Sequence, residues 1–219
     1  DLIEQDGRYW ITETQKTLAR VHSIDKSLLE GLWNQGKADT VAQQGLVLDL
    51  DKEKLSVGEV DLPKLPSLAD GGGFSLDFWL NLTELSAGQI ILDGRDASGR
   101  GLAVTTTPNK TIRIEISDGT NAASWDCDRE ILTAGTTHHV AIIVDGGPKV
   151  ISFVVDGILC DGGTASIYGW GRFTPKLDDA NGSGRLRIAP ALKGRLDGLR
   201  LYRRYLRTSE AVANYHAGV

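Results

Sequence analysis

From Gly45 onward, the chain is a series of short apolar or alternating runs separated by Gly, Asp, Asn and Pro residues. Runs at regular spacing, with turn signals between them and almost no helical period, are typical of a β-sandwich or jelly roll. The pattern therefore predicts an all-β fold, an antiparallel two-sheet β-sandwich. The predicted strands lie in GLVLDL, FSLDFWLNL, GQIILDG, GLAVTTT, KTIRIEIS, HHVAIIVDG, KVISFVVDG, RLRIAP and GLRLYRR.

Two of these runs, HHVAIIVDG and KVISFVVDG, are apolar at both odd and even positions. This pattern indicates strands that are covered on both faces, and DGGPK between them is typical of a tight hairpin turn. His138 and His139 are neighbours on the first of the two strands, so their side chains point to opposite faces and do not bind one metal ion together. We interpret both histidines as core residues.

The first 40 residues follow a different pattern. Arg8–Thr14 alternates like a strand, and the segment Asp25–Gly36 has a helical period, with Asp25 as N-cap and Gly36 as stop. We predict a linker strand and helix over residues 1–40 and a sandwich domain over residues 41–219. A peripheral helix of one single domain fits the pattern equally well. The predicted docking face of the helix consists of Leu28, Leu29, Leu32 and Trp33.

Charge and hydropathy narrow the range of partners. The chain has 24 Lys and Arg against 29 Asp and Glu, a net charge of −5, which gives no general attraction for nucleic acid or anionic lipid. No apolar run approaches the roughly 20 residues that span a bilayer. Neutral polymers and cations remain as partners. The sequence contains no Met, so we expect it to be a piece of a longer protein, and a missing signal peptide does not bear on secretion.

The order of several motifs resembles a known family. GFSLDFWLNL, GQIILDG, THHVAIIVDGGPKVISFVVDGILC and LKGRLDGLRLYRRYLRTSEAVANYHAG are similar to successive strands of concanavalin A-like, laminin-G-like domains. Thr137 stands where that family usually has Trp. GRYWITETQKTLARVHSIDKSLLEGLW resembles the segment that follows a sialidase-like propeller in some bacterial glycoside hydrolases. The resemblance implies a secreted, periplasmic or cell-surface protein with a neighbouring catalytic domain.

Sandwich glycosidases of this superfamily carry alternating carboxylates on one strand, because retaining hydrolysis needs an acid and a nucleophile about 5 Å apart. The sequence has no E-x-D-x-x-E motif. The nearest clusters are Asp126, Asp128 and Glu130 in DCDRE, and Glu59 and Asp61 in GEVDLP. We interpret them as solvated carboxylates and predict no catalytic residue in this chain.

The resemblance also implies a structural Ca²⁺, since related sandwiches hold this ion with loop carboxylates and carbonyls. Asp49 and Asp51 lie on an early strand, and Asp197 lies on the closing strand beside it in the family's fold. These three residues are the predicted calcium ligands. Ordinary turn carboxylates are the alternative.

Cys127 and Cys160 flank the two central strands. In a sandwich that resembles secreted proteins, a pair of cysteines favours one disulfide, which would restrain the loop that begins DGGTAS. Two buried thiols are the alternative.

A long segment, Asp161–Gly184, has neither a strand nor a helical period. Loops of this length are usually functional or disordered, and its aromatic rings are costly to leave in water. Sugar recognition uses such a mixture, because aromatic rings pack on the C–H face of a sugar while polar groups bind its hydroxyls. An inward-facing mini-core is the alternative. The predicted carbohydrate-binding residues are Trp125, Asp126, Tyr168, Trp170, Arg172 and Phe173.

The sequence thus favours a non-catalytic, lectin-like module that binds polysaccharide or oligosaccharide for a secreted bacterial glycoside hydrolase. One alternative is a domain that braces a neighbouring propeller through the helix face and binds no sugar. A glycosidase in its own right is the third alternative.

Overall fold

Three antiparallel sheets make up the computed structural model of the chain, which describes residues 1–15, 17–56 and 58–219. The first sheet is small and precedes the only long N-terminal helix of the described residues. Its elements are β1 (Leu2–Gln5), β2 (Arg8–Gln15), β3 (Leu18–Ile24) and α1 (Lys26–Asn34).

The remaining elements form the sandwich. The first half comprises β4 (Leu46–Asp51), α2 (Lys52–Leu55), β5 (Glu59–Asp61), β6 (Gly73–Leu82), β7 (Ile90–Asp93), β8 (Gly101–Thr106), β9 (Ile112–Ser117) and β10 (Ala122–Asp126). The second half comprises β11 (Thr137–Asp145), β12 (Val150–Val155), β13 (Ile158–Leu159), β14 (Trp170–Arg172), β15 (Arg185–Ala191), β16 (Gly194–Tyr202) and α3 (Thr208–Ala217).

These strands form two antiparallel sheets, which confirms the predicted fold class. The six-stranded sheet has the order β10-β9-β8-β7-β15-β5, and the seven-stranded sheet has the order β13-β12-β11-β6-β16-β4 with β14 paired to β12. Every strand predicted from the alternating runs is present. The sequence pattern missed β1, β3, β5, β10, β13 and β14, and it missed helices α2 and α3.

Strand β6 shows why the sandwich forms. Its alternate residues, Phe74, Leu76, Phe78 and Leu80, are at most 1% exposed and belong to the core between the two sheets. The intervening residues point to the outer face of the seven-stranded sheet, which α3 covers with a second apolar cluster. On β11, Ala141 and Ile143 belong to this second cluster while Val140 and Ile142 belong to the core. The prediction of strands covered on both faces is therefore confirmed.

A buried polar network fixes α3 to that outer face. The Asp77 carboxylate accepts a hydrogen bond from Asn214 Nδ2 at 2.9 Å, contacts His139 Nε2 at 3.0 Å, and lies 3.4 Å from Arg200 Nη1. Burial, together with the nearby charge of Asp77, raises the pKa of Tyr202 to about 12. His138 lies on the opposite face of β11, as predicted, with its Nδ1 2.7 Å from Asp156.

Helix α1 begins as predicted, because the Asp25 side chain accepts the Ser27 N–H. Its docking differs from the prediction. Leu29 is buried, but the three other residues of the predicted docking face are 45–57% exposed. Close contact occurs instead at Gly31, where a Cβ would lie 2.8 Å from Ser209 Oγ at the start of α3. The exposed residues are Leu28, Leu32 and Trp33. Across the described part of the chain, no helix is both long and apolar enough for a membrane span.

Candidate functional site

Part of the long segment predicted to be irregular joins the seven-stranded sheet. Strand β14 pairs with β12 through Trp170 opposite Ser152 and Arg172 opposite Val150. Paired residues of antiparallel strands point to the same side, so Trp170 and Arg172 face outward. Both side chains are exposed. No ion pair among the described residues involves Arg172.

Gly171 faces the other way, toward the interior, and this position requires glycine. A Cβ there would lie 2.5 Å from the ring of Trp125. Trp125 itself is paired with Ile114, a core residue, and packs against the core cluster. The two loops predicted to meet therefore do meet, but the Trp125 ring is partly buried and closes the end of the sandwich.

Phe173 lies at 6% exposure within the core between the sheets. Its predicted role as a platform for a sugar is therefore wrong. For this one ring, the alternative of an inward-facing aromatic residue is correct. The physical reason is the alternation of β14, which turns the residue after Arg172 inward.

Tyr168 and Trp170 remain open to solvent, at 55% and 44% exposure. Their ring centroids are 4.7 Å apart and their planes are inclined by 41°. Tyr168 also lines a cavity of about 300 Å³. The two rings therefore form an exposed aromatic pair beside an open depression, which we call the Tyr168 cavity.

The floor of the Tyr168 cavity includes an ion pair that the sequence did not predict. Arg113 on β9 donates from Nε and Nη2 to the two carboxylate oxygens of Asp126 on β10, at 2.5 and 3.1 Å. This hydrogen bonding raises the pKa of Arg113. Asp126 lines the cavity, and the guanidinium fixes its orientation. Its contact with a sugar stays a prediction.

Asp128 holds the loop that forms the opposite wall. Its two carboxylate oxygens accept the backbone N–H groups of Asp161 and Gly162 at 3.1 and 3.0 Å. Gly162 and Tyr168 border the same cavity as Asp128. The carboxylate thus acts as a structural anchor that positions the aromatic pair.

Asp118 anchors the far end of the same segment. Burial alone would raise the pKa of Asp118, but the N–H groups of Asn121, Asp178 and Thr120 donate to its carboxylate and lower the pKa to about 2. Because folding lowers the pKa of Asp118, the ionised carboxylate stabilises the folded state fully at pH values above its ordinary pKa of about 4. This stabilisation is lost as the pH falls through about 2.

We therefore expect Asp118→Ala to lower the melting temperature at pH 7 and to have little effect at about pH 2. Glu130→Ala is the control, since Glu130 is exposed and makes only a 3.6 Å ion pair with Lys110. Thermal unfolding followed by circular dichroism at both pH values measures the difference. An effect of Asp118→Ala that is as large at pH 2 as at pH 7 would contradict the proposed anchor.

The structure brings the two cysteines together as free, buried thiols. Their Sγ atoms are 3.3 Å apart. Hydrogen bonding between the thiols, together with burial, raises the pKa of Cys127. Cys127 and Cys160 therefore lie next to each other, as the predicted disulfide requires, but in the structure they are two thiols, which was the alternative. Oxidation to a disulfide stays a prediction.

The predicted calcium ligands lie on adjacent strands, since β16 pairs with β4. Each carboxylate has another partner: Asp49 lies 3.5 Å from Arg200 Nε, Asp51 caps α2 at the Lys54 N–H, and Asp197 accepts from Arg195. The described residues contain no cluster of three or more His, Cys, Asp or Glu side chains arranged for a metal ion. Calcium binding stays a prediction.

The two antiparallel sheets define the chain as a β-sandwich protein. The sequence model of the family described as "Concanavalin A-like lectin/glucanases superfamily" (Laminin_G_3) matches residues 56–212. The chain belongs to this family, which confirms the resemblance of its strand motifs to concanavalin A-like, laminin-G-like domains. No curated protein matches the chain.

Solved structures of low sequence identity share the fold. The receptor-binding domain of botulinum neurotoxin mosaic serotype C/D is 10% identical, with a TM-score of 0.54 over 80% of this chain and 51% of that chain. The binding domain of botulinum neurotoxin DC, in complex with rat synaptotagmin II, is 9% identical, with a TM-score of 0.51 over 99% of this chain and 45% of that chain. This chain thus spans about half of these domains.

The CBM40 module of the Ruminococcus gnavus IT-sialidase, bound to alpha2,3 sialyllactose, is 17% identical. The similarity covers 77% of this chain and 98% of that chain, with a TM-score of 0.48.

Proposed function

We propose that the chain is a non-catalytic carbohydrate-binding module of a secreted or periplasmic bacterial glycoside hydrolase. The observation that carries this proposal is the exposed aromatic pair, in which Tyr168 lines the Tyr168 cavity and Trp170 packs against Tyr168. The Tyr168 ring provides an apolar face for a sugar ring, and the polar groups of the cavity provide hydrogen-bonding partners for the hydroxyls of the sugar. Such a module raises the effective concentration of an attached catalytic unit on its polysaccharide.

The carboxylates near the cavity have structural partners, which supports a binding role over hydrolysis. Asp126 is held by Arg113, and Asp128 accepts two backbone N–H groups. A retaining glycosidase needs one carboxyl group that carries a proton to the leaving group and another that attacks the sugar. The hydrogen bonds of Asp126 and Asp128 instead stabilise the cavity floor and the loop.

A bracing role without sugar binding is the second candidate. It is favoured by one observation, the exposure of Leu28, Leu32 and Trp33 on α1. An apolar face of this kind fits the surface of an adjacent domain in the same chain. The two candidates are separated by whether the isolated chain binds polysaccharide.

We expect at least one neutral polysaccharide to retard the chain in affinity gel electrophoresis and Tyr168→Ala to weaken the retardation roughly tenfold or more. The reason is that burying an aromatic side chain contributes about 1.5–3 kcal/mol, and each 1.4 kcal/mol is a factor of ten. Trp170→Ala should weaken binding less, because Trp170 packs against the Tyr168 ring but does not line the cavity.

Tyr205→Ala is the matched control, since Tyr205 is an exposed tyrosine, at 44%, that does not line the Tyr168 cavity. It should leave binding unchanged. If no polysaccharide retards the chain, the binding proposal is wrong and the bracing role replaces it. If Tyr168→Ala binds as tightly as the wild type, the Tyr168 cavity is not the binding site.

A further inference from the structure

Two further cavities adjoin the Tyr168 cavity. The first, of about 380 Å³, lies over β9 and β10 and includes Glu115 and Ser124 in its lining. The second, of about 390 Å³, lies at the other end, between the turn at Asn109 and the loop at Gly163. We call them the strand cavity and the loop cavity.

The register of β9 and β10 places the strand cavity and the Tyr168 cavity on one face. Ser124 pairs with Glu115, and Asp126 pairs with Arg113. Residues two apart on a strand point to the same side, so these four side chains share the outer face of the six-stranded sheet. Trp125, between Ser124 and Asp126, points to the core.

The three cavities are neighbours, because adjoining cavities share wall residues. Ser124 lines both the strand cavity and the Tyr168 cavity. Asn109, Arg129 and Gly162 line both the Tyr168 cavity and the loop cavity. The cavities follow one another from β9 and β10, past Tyr168, to the loop, and we call the three together the groove.

The charges that line the groove are balanced. Three positive side chains are paired with carboxylates in Arg95–Glu115, Arg113–Asp126 and Lys110–Glu130. Arg129 and Asp128 are the other two charged residues of the lining, and their charges are opposite. The groove therefore offers many hydrogen-bonding groups without a net charge, and a balanced surface of this kind gives an anionic ligand no overall attraction.

We infer that the groove binds an extended segment of an uncharged polysaccharide, several sugar units long, with Tyr168 against a central unit. This inference rests on the proposed carbohydrate-binding function and specifies its ligand. A single terminal sugar would occupy one of the three cavities, whereas an internal stretch of a linear chain contacts all three. Affinity should therefore increase with the number of units.

The test is isothermal titration calorimetry of the whole chain with uncharged glucan, xylan, mannan and fructan oligosaccharides of one to six units. For the series that binds, we expect the affinity to rise at least tenfold between two and five units and then to level off. Binding should change little between low and moderate salt, since no counterions are released. Ser124→Trp, which fills the junction with the strand cavity, should weaken the six-unit ligand about tenfold and the two-unit ligand less than twofold.

Ser23→Trp is the control, because Ser23 is an exposed strand serine on β3, outside the groove. Circular dichroism establishes that both variants are folded. Binding that is equally tight for two and six units, or a folded Ser124→Trp variant that weakens both equally, overturns the extended groove while the proposed function stands. Binding confined to sulfated or uronate chains in a parallel titration overturns the uncharged ligand. Failure of every sugar to bind overturns the proposed function itself.

Discussion

Replacing Asp77 with alanine is expected to lower the free energy of unfolding by about 3–5 kcal/mol, the usual cost of removing one partner of a buried ion pair. Asp77 is 1% exposed, and its carboxylate contacts Arg200, His139 and Asn214. Without the carboxylate, the buried positive charge of the Arg200 guanidinium loses its buried negative partner. The network also joins α3 to the sheet, so α3 should loosen first.

The measurement is urea unfolding followed by tryptophan fluorescence, with Asp49→Ala as the matched control. Asp49 contacts the same guanidinium at 3.5 Å, but its side chain is 59% exposed. Exposed pairs contribute about 0–1 kcal/mol, so this variant should be nearly as stable as the wild type. Equal losses for the two variants would show that burial of the Asp77 network does not determine the stability.

Replacing Phe173 with alanine is expected to lower the free energy of unfolding by about 3–5 kcal/mol, the usual cost of removing a buried aromatic side chain. Phe173 lies within the core at the point where β14 leaves the sheet. Removing the ring would leave a cavity in the core next to β14. We therefore expect the exposed aromatic pair to lose its fixed position as well.

Trp170→Ala is the control for this prediction, because Trp170 precedes Phe173 by three residues and is 44% exposed. Its removal should change the unfolding free energy by less than about 1 kcal/mol, in the range of surface substitutions. Chemical unfolding of both variants distinguishes a core residue from a surface residue. A Phe173→Ala variant as stable as Trp170→Ala would mean that Phe173 is not part of the core.

The strands of the sandwich could be predicted from the sequence because most alternate between an inner and an outer face. β6 is a clear example of this alternation, whereas the continuous apolar run of β11 matches both the inner face and the covered outer face. Strand β14 was not predictable in this way. It has three residues with Gly171 in the middle, and so short a run has no measurable period. Helix α3 packs on the sheet with polar residues such as Asn214 on its buried side. Because these polar residues interrupt the apolar face, the sequence of α3 has no clear helical period.

The candidate site was predicted in part. The exposed rings of Tyr168 and Trp170 and the proximity of Trp125 agree with the structure, whereas Phe173 is in the core. The difference depends on the register of β14 against β12, which is a long-range pairing with no local signal. The Arg113–Asp126 pair was also missed. Alternating charges in KTIRIEIS could have indicated it, because cross-strand pairs of opposite charge stabilise neighbouring strands.

Binding at the groove is tested most directly by an amide NMR titration of the chain with the oligosaccharide that binds best in calorimetry. We predict that shift changes concentrate in the loop from Asp161 to Gly169 and along β9 and β10, and that Tyr168→Ala removes them. Shift changes centred on α1 and the exposed residues Ile158 and Leu159, with none in the loop, would contradict binding at the groove.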